Sequence, residues 1–153
     1  MEEIAELLKQ AAGRSTCRNA HIGAVIVTAG RAPILGWNGP PERAGEHTGC
    51  LLGGCITPEN IRKCPSVHAE VRAICRAAEK GMPVKGGVIY LSEWFPCAPC
   101  AVAIIEAGIK KLVVTEEIDY GKDDCYNFHL AREYLAKAGV EIEIRKDATY
   151  SML

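Results

Sequence analysis

From residue 68 onward, helix-length amphipathic segments alternate with short apolar runs of strand length, and this alternation restricts the fold more than any other feature of the chain. A helix over about His68–Lys80 precedes a strand near Val88–Ser92, and a helix over about Ala98–Ala107 precedes one at Lys111–Thr115. A last helix near Asp124–Lys137 precedes Val140–Ile144. Strands separated by helices pair in parallel, because each helix carries the chain back across one face of the sheet. The chain therefore reads as an α/β layered domain.

The first third follows another pattern. Ile4, Leu7, Leu8 and Ala11 recur at helical spacing and Gly13 marks a stop, so the chain opens with an amphipathic helix. Ile22–Thr28 and Pro33–Trp37, joined by a short turn containing Gly30, read as a hairpin at one side of the sheet. Asn38-Gly39-Pro40-Pro41 then opens a cysteine-rich irregular loop over about 38–65. Loops of that length in compact domains are functional or held by something. At 153 residues the whole chain, 1–153, fits one domain with a core of its own.

Two short motifs carry the chemistry. His68-Ala69-Glu70 and Pro96-Cys97-Ala98-Pro99-Cys100 each fall at the start of a predicted helix. A helix N-terminus presents unpaired N–H groups and partial positive charge, which favours the thiolate that binds metal. Cys97 and Cys100 are three apart and share a helical face, and Pro96 suits the entry to that helix. His68, Cys97 and Cys100 supply three zinc ligands, leaving a fourth tetrahedral position open, as in catalytic rather than structural sites. Glu70 is offset two positions from His68, so it faces a different direction and is free to act as a general acid–base.

Eight cysteines and a formal net charge of −1 narrow the classes further. The start, Met1-Glu2-Glu3-Ile4-Ala5-Glu6, has no basic region of a secretory signal, and no apolar run approaches membrane-spanning length. The expectation is a cytoplasmic protein with no membrane partner, where disulfides are uncommon and metal explains the thiols. Balanced charge gives no field for gripping a long nucleic acid, whereas a small anionic substrate needs only a few local cations.

The spacing His-x-Glu…Pro-Cys-x-x-Cys resembles that of the zinc-dependent nucleobase deaminases. Further segments narrow the likeness to the deoxycytidylate deaminases of the cytidine deaminase superfamily. Arg14-Ser15-Thr16-Cys17 with Ile22–Val27 is similar to that family's opening segment and first strand. Gly36-Trp37-Asn38-Gly39 resembles its Gly-Tyr-Asn-Gly turn, and Ile105-Glu106-Ala107-Gly108-Ile109-Lys110 the approach to its fourth strand. The resemblance implies a three-layer fold with a mixed five-stranded sheet flanked by helices, and conversion of dCMP to dUMP and ammonia. It implies zinc on His68, Cys97 and Cys100, Glu70 as proton shuttle, Asn38 near the nucleotide sugar, Ala69 in the substrate site, and Tyr120 closing over the base. Asn38-Gly39 is also an ordinary turn signal, and Tyr120 equally an ordinary loop aromatic. Arg14, Arg18 and Asn19 are candidate phosphate contacts, set against the common fate of such residues as solvated surface. One position departs: Arg72 stands where the family has Asn, placed either to bind an anion or to lie on the solvated face of its helix.

Cys17, Cys50, Cys55 and Cys64 are surplus to the first site. Several relatives hold a second, structural zinc with a residue like Cys17 and residues of the loop, and four thiolates make a closed set. His47 in place of one cysteine is the variant, and free thiols acting as small hydrophobes the alternative. Cys75 shares an inward spacing with Val71 and Ala78, which predicts a core position; Cys125 begins the last helix without an evident partner. The likeness also implies a homo-oligomer, dimer or hexamer, with dCTP and dTTP as effectors near Trp37–Gly39 and Mg2+ accompanying them. The competing functions are a deaminase of a base in RNA, similar to the tRNA adenosine deaminases, a deaminase of another nucleoside or nucleotide, and a zinc-stabilised binding protein without catalysis.

Overall fold

The computed structural model describes residues 2–44, 59, 63–115 and 123–145. Its elements run α1 (Glu2–Ala12), β1 (Gly23–Val27), β2 (Ile34–Trp37), a 3-10 turn (Glu42–Ala44), α2 (Ala69–Glu79), β3 (Val88–Leu91), α3 (Ala98–Glu106), β4 (Lys111–Val114), α4 (Asp123–Tyr126), α5 (Phe128–Lys137) and β5 (Glu141–Ile144). One five-stranded sheet has the order β2-β1-β3-β4-β5. β1 is antiparallel to β2 and to β3, while β3, β4 and β5 run parallel. The expected hairpin thus occupies one side of a mixed sheet, and the helix–strand alternation produces the parallel part.

Strand alternation sorts the two faces. Ala24, Ile26, Ile34, Ile89, Leu91, Leu112 and Val114 point to the larger core, shared with Ala69, Ala73 and Ala77 of α2, Ala101 and Ile104 of α3, and Phe128, Ala131 and Leu135 of α5. Val25 points the other way, against Leu8 of α1, with Ile4, Leu7, Leu35 and Tyr90 closing that smaller cluster. The result is helix, sheet and helix in three layers.

Two glycines let the layers approach. A Cβ on Gly36 of β2 would stand 2.2 Å from the Ala69 carbonyl oxygen and 2.5 Å from the Ala73 amide nitrogen. On the opposite face a Cβ on Gly23 would meet the Leu8 carbonyl oxygen at 2.5 Å. Both contacts are to backbone, which cannot swing aside. α2 therefore lies directly on the sheet, and its N-terminus is placed by backbone contact.

Three sequence expectations need correction. The last helix is broken in two, because Asn127 adopts the left-handed conformation (φ 53°) between α4 and α5. Cys75 is exposed, since the small-residue stripe Ala69-Ala73-Ala77 is the face that packs against the sheet. The proline within the first turn of α3 is Pro99; Pro96 precedes the cap.

Candidate active site

His68 is the N-cap of α2 and Cys97 the N-cap of α3, both with extended backbone (ψ 153° and 166°) and neither with a side-chain cap hydrogen bond. Ser, Thr, Asp or Asn usually fill that position, accepting from the free N–H groups. Here both caps are metal-ligating side chains turned away from their own helices, and the two positive helix ends converge on one point. Within α3, Cys100 follows one turn after the cap.

His68 Nδ1 lies 3.4 Å from Cys97 Sγ and 3.3 Å from Cys100 Sγ. All three ligand atoms stand within 4.8 Å of one another. Tetrahedral zinc with ordinary Zn–N and Zn–S lengths requires an N···S edge of about 3.5 Å, so the trio fits the ion. The proton distribution points the same way. A hydrogen bond with Cys97, helped by the Glu70 carboxylate and opposed by burial, raises His68 to about 9. Cys97 is drawn down to about 5, chiefly by the hydrogen bond from Cys100 and then by His68. Cys100, holding that shared proton in a buried setting, is pushed up. A thiolate already paired with a cation inside a buried cluster is one a divalent metal can take by displacing protons.

Glu70 lies beside this trio, 5% exposed, with its carboxyl pushed upward first of all by burial. A carboxyl whose proton affinity is raised by burial is suited to general acid–base work. Glu70, His68, Ala69 and Cys97 open into one cavity whose wall also includes Asn19, Asn38, Ser66, Glu93, Trp94, Phe95, Tyr126 and Phe128. Asn38 is 7% exposed and rigidly held. Its Oδ1 accepts from Ser15 Oγ (2.6 Å) and the Ile22 amide (2.8 Å), and its Nδ2 donates to the Ala20 carbonyl (2.8 Å). One amide hydrogen remains for a ligand. The paired hydrogen bonds between Gly39 and Val67 bring the chain back beside Asn38 just before His68.

The structure thus gathers His68, Ala69, Glu70, Cys97, Asn38 and Asn19 at one cavity, with Cys100 behind Cys97. Cys17 and Cys64 stand on the same wall. Tyr120, His47, Cys50 and Cys55 lie outside the described residues. Arg14 is placed elsewhere, its guanidinium over the Trp37 ring at 5.0 Å, and the exposed Arg18 is not part of the cavity wall. Arg72 is not on a solvated face: it is 7% exposed and donates through one terminal nitrogen to the carbonyls of Gly39 (2.7 Å) and Pro40 (2.8 Å). It ties the turn after β2 to α2, with Glu42 at 3.6 Å as its ion-pair partner.

Sequence reasoning missed the aromatic wall. Trp94 meets Tyr126 edge-on with centroids 5.5 Å apart, and Tyr126 stacks on Phe128 at 5.3 Å and 7°. Tyr126 is half-buried, and its phenol is raised to about 12 by burial first and neighbouring thiols second, so it stays neutral. The signal was present in Trp94-Phe95-Pro96-Cys97, where bulky rings abut the metal motif.

With fold and geometry in hand, known proteins give the family. Residues 1–116 match the model of the cytidine and deoxycytidylate deaminase zinc-binding region. The chain belongs to this family. It is 34% identical over 131 residues to ComE operon protein 2 of Bacillus subtilis (strain 168), a match taking in 85% of this chain and 62% of that protein. It is 31% identical over 116 residues to the deoxycytidylate deaminase of Saccharomyces cerevisiae, covering 72% of this chain and 36% of that one. The chain thus spans less than two thirds of the length of these relatives. The dCMP deaminase of cyanophage S-TIM5, solved in complex with dCMP and dUMP, superposes with a TM-score of 0.71 at 26% identity over 94% of each chain. The mixed sheet with helices on both faces is the fold of that enzyme. Among the described residues no helix is long and apolar enough to cross a membrane.

Proposed function

We propose that this member of the family is a zinc-dependent hydrolase that deaminates a free cytosine nucleotide, dCMP, to dUMP and ammonia. The observation that carries the reading is the buried Glu70 carboxylate, two residues after a ligand of the three-ligand metal site and open to the same cavity. A purely structural zinc has no use for such a group. His68, Cys97 and Cys100 would hold the zinc, which would supply an acidified water when bound. Glu70 takes a proton from that water and passes it to the ring nitrogen as a C–O bond forms at the amino-bearing carbon. It then takes the proton of the newly formed C–OH group and delivers it to the departing amine as the C–N bond breaks, leaving the carbonyl and releasing ammonia. The N-terminus of α3 at Cys97 favours its thiolate, while Asn38 and Asn19 offer polar groups for the sugar.

The substrate claim is tested by uracil-product formation across cytosine, cytidine, CMP, dCMP and dCTP, each with and without dCTP and dTTP. dCMP is expected to be the best substrate; inert dCMP in every condition overturns the reading. The effector arm has its own support. The guanidiniums of Arg14, Arg72 and Arg76 stand 5.0, 5.3 and 4.7 Å from the Trp37 ring. The Nε atoms of Arg72 and Arg76 are buried without a hydrogen-bond partner among the described residues. An anionic nucleotide with Mg2+, bound near Trp37–Gly39 in a dimeric or hexameric assembly, would complement that charge. A cytoplasmic location accords with nucleotide chemistry and reduced thiols.

The reading includes a structural zinc on Cys17, Cys50, Cys55 and Cys64. Its support is that Cys17 and Cys64, far apart in sequence, reach one cavity wall as free, half-buried thiols. Metal analysis of the purified protein is expected to find a second zinc per chain that is lost in Cys64→Ser. A single zinc, unaffected by that substitution, removes the second site.

A further inference from the structure

Asn38 and His68 face one another across a very short piece of sheet. Gly39 and Val67 form an isolated antiparallel bridge, the Gly39 amide donating to the Val67 carbonyl (3.1 Å) and the Val67 amide to the Gly39 carbonyl (2.8 Å). In antiparallel register the residue before one member of a pair lies opposite the residue after the other. The bridge therefore sets Asn38, with its spare amide hydrogen, across from the metal ligand His68, and both line the cavity. β2 has ended at Trp37 and α2 begins at Ala69. Two hydrogen bonds are a weak hold on a separation that the reaction depends on.

Arg72 supplies what the bridge lacks. Its backbone amide donates to the His68 carbonyl (3.0 Å), while its side chain reaches back over the bridge. One terminal nitrogen donates to the Gly39 carbonyl (2.7 Å), the same oxygen that accepts from Val67, and to the Pro40 carbonyl (2.8 Å). The other terminal nitrogen faces Glu42 at 3.6 Å, and the guanidinium lies over the Trp37 ring at 5.3 Å. Arg72 is thus joined to His68 through main chain and to the residues after Asn38 through side chain. The placement is costly. A buried cation near the start of a helix is opposed both by desolvation and by the macrodipole. An apolar side chain of similar length would fill the space without that cost. It could not bind the two carbonyls that fix the turn after β2.

Resting on the proposed deaminase reading, we propose that Arg72 is a positioning residue that fixes Asn38 against His68, so that a nucleotide held at Asn38 meets the metal site in reacting geometry. Arg72 is not part of the cavity wall, so it acts through Asn38 rather than on the nucleotide. It is also the position at which the chain departs from the Asn of its family.

The test is a double-mutant cycle in the zinc-loaded protein, assayed without dCTP or dTTP and below the lowest Tm of the set. Its members are wild type, Arg72→Met, Asn38→Ala and the two substitutions together. Met keeps the length of the side chain but donates nothing. Arg72→Met alone is expected to lower kcat/KM for dCMP by on the order of 10², at wild-type zinc content. In the Asn38→Ala background the same substitution is expected to lower it less than about threefold, because the residue it positions is already gone. Arg72→Lys keeps one donor group for the carbonyls and is expected to recover about tenfold of the loss. It carries the cycle if the Met variant does not fold. Equal losses in both backgrounds overturn the proposal, as do wild-type kcat/KM in Arg72→Met and zinc lost together with activity.

Affinity for dUMP, measured by calorimetry on the same four proteins, separates the two readings. Wild type that turns over dCMP beside equal losses in both backgrounds removes the Arg72 role alone. Wild type inert on dCMP, with dUMP affinity that shows the Arg72–Asn38 coupling, removes the substrate claim alone. Inert wild type that binds no dUMP, or loses dUMP affinity equally in both backgrounds, removes both.

Discussion

Replacing Glu70 by Gln is expected to lower turnover by on the order of 10²–10⁴ while zinc remains bound. Gln has the same shape and fits the same buried space, but it can neither accept the proton from water nor deliver one to the leaving amine. Zinc retention follows from the ligand set, because His68, Cys97 and Cys100 are untouched. The stability outcome has a definite sign. Burial raises the Glu70 pKa, so the charged form is costlier in the folded protein than in the unfolded chain. That cost is absent below the ordinary carboxylate range and grows as pH rises through the raised folded value. In metal-free protein above that range, Glu70→Gln is therefore expected to melt no lower than wild type. Single-turnover kinetics, zinc content and a melting curve measure the three parts. Wild-type turnover in the Gln variant would falsify the mechanism.

A second large effect is expected far from any reacting atom. Gly36→Ala places a methyl 2.2 Å from the Ala69 carbonyl oxygen and 2.8 Å from the Ala73 Cβ. Neither can rotate away, so α2 must lift from β2. Overpacking of this kind costs about 1–3 kcal/mol, and backbone contacts on two sides place this case at the upper end. The consequence for activity is larger. The first residues of α2 carry Glu70, and His68 caps it; a displacement of about 1 Å is enough to lose on the order of 10² in rate. Thermal unfolding should show a lowered Tm, and assays below that Tm a reduced kcat. Gly30→Ala is the comparison: its added Cβ meets nothing within 4 Å, although its φ of 69° carries strain. A Gly36→Ala variant as active and stable as wild type would show that α2 does not rest on the sheet.

The element order could be read from the chain because each element has its own short-range signature. The Ala69-Ala73-Ala77 spacing, the apolar run Val88–Leu91 and the alternation with glycine-ended helices are local. So was the metal set. His68, Cys97 and Cys100 sit at fixed offsets from helix starts, and Glu70 is two residues from His68, so their meeting at one place follows from spacing. Local signals failed where two competed. Cys75 fits an apolar stripe with Val71 and Ala78, but the smaller stripe of alanines wins because Gly36 lets backbone approach backbone. Arg72 has the chemistry of a surface residue, and only the turn after β2, returning over α2, provides the carbonyls that bury it.

The sequence by itself determined the metal-ligand chemistry and the layered fold, through residue types held at fixed distances along helices and strands. Tertiary structure alone decided what surrounds that chemistry. It put Asn38 under three hydrogen bonds, brought Cys17 and Cys64 to one wall, and turned Tyr126 and Phe128 into a stack through a left-handed Asn127. The physical reason is range. A metal motif is encoded over a few residues, whereas a cavity wall is the meeting of side chains from distant segments, set by packing and by backbone angles that residue type only weakly dictates.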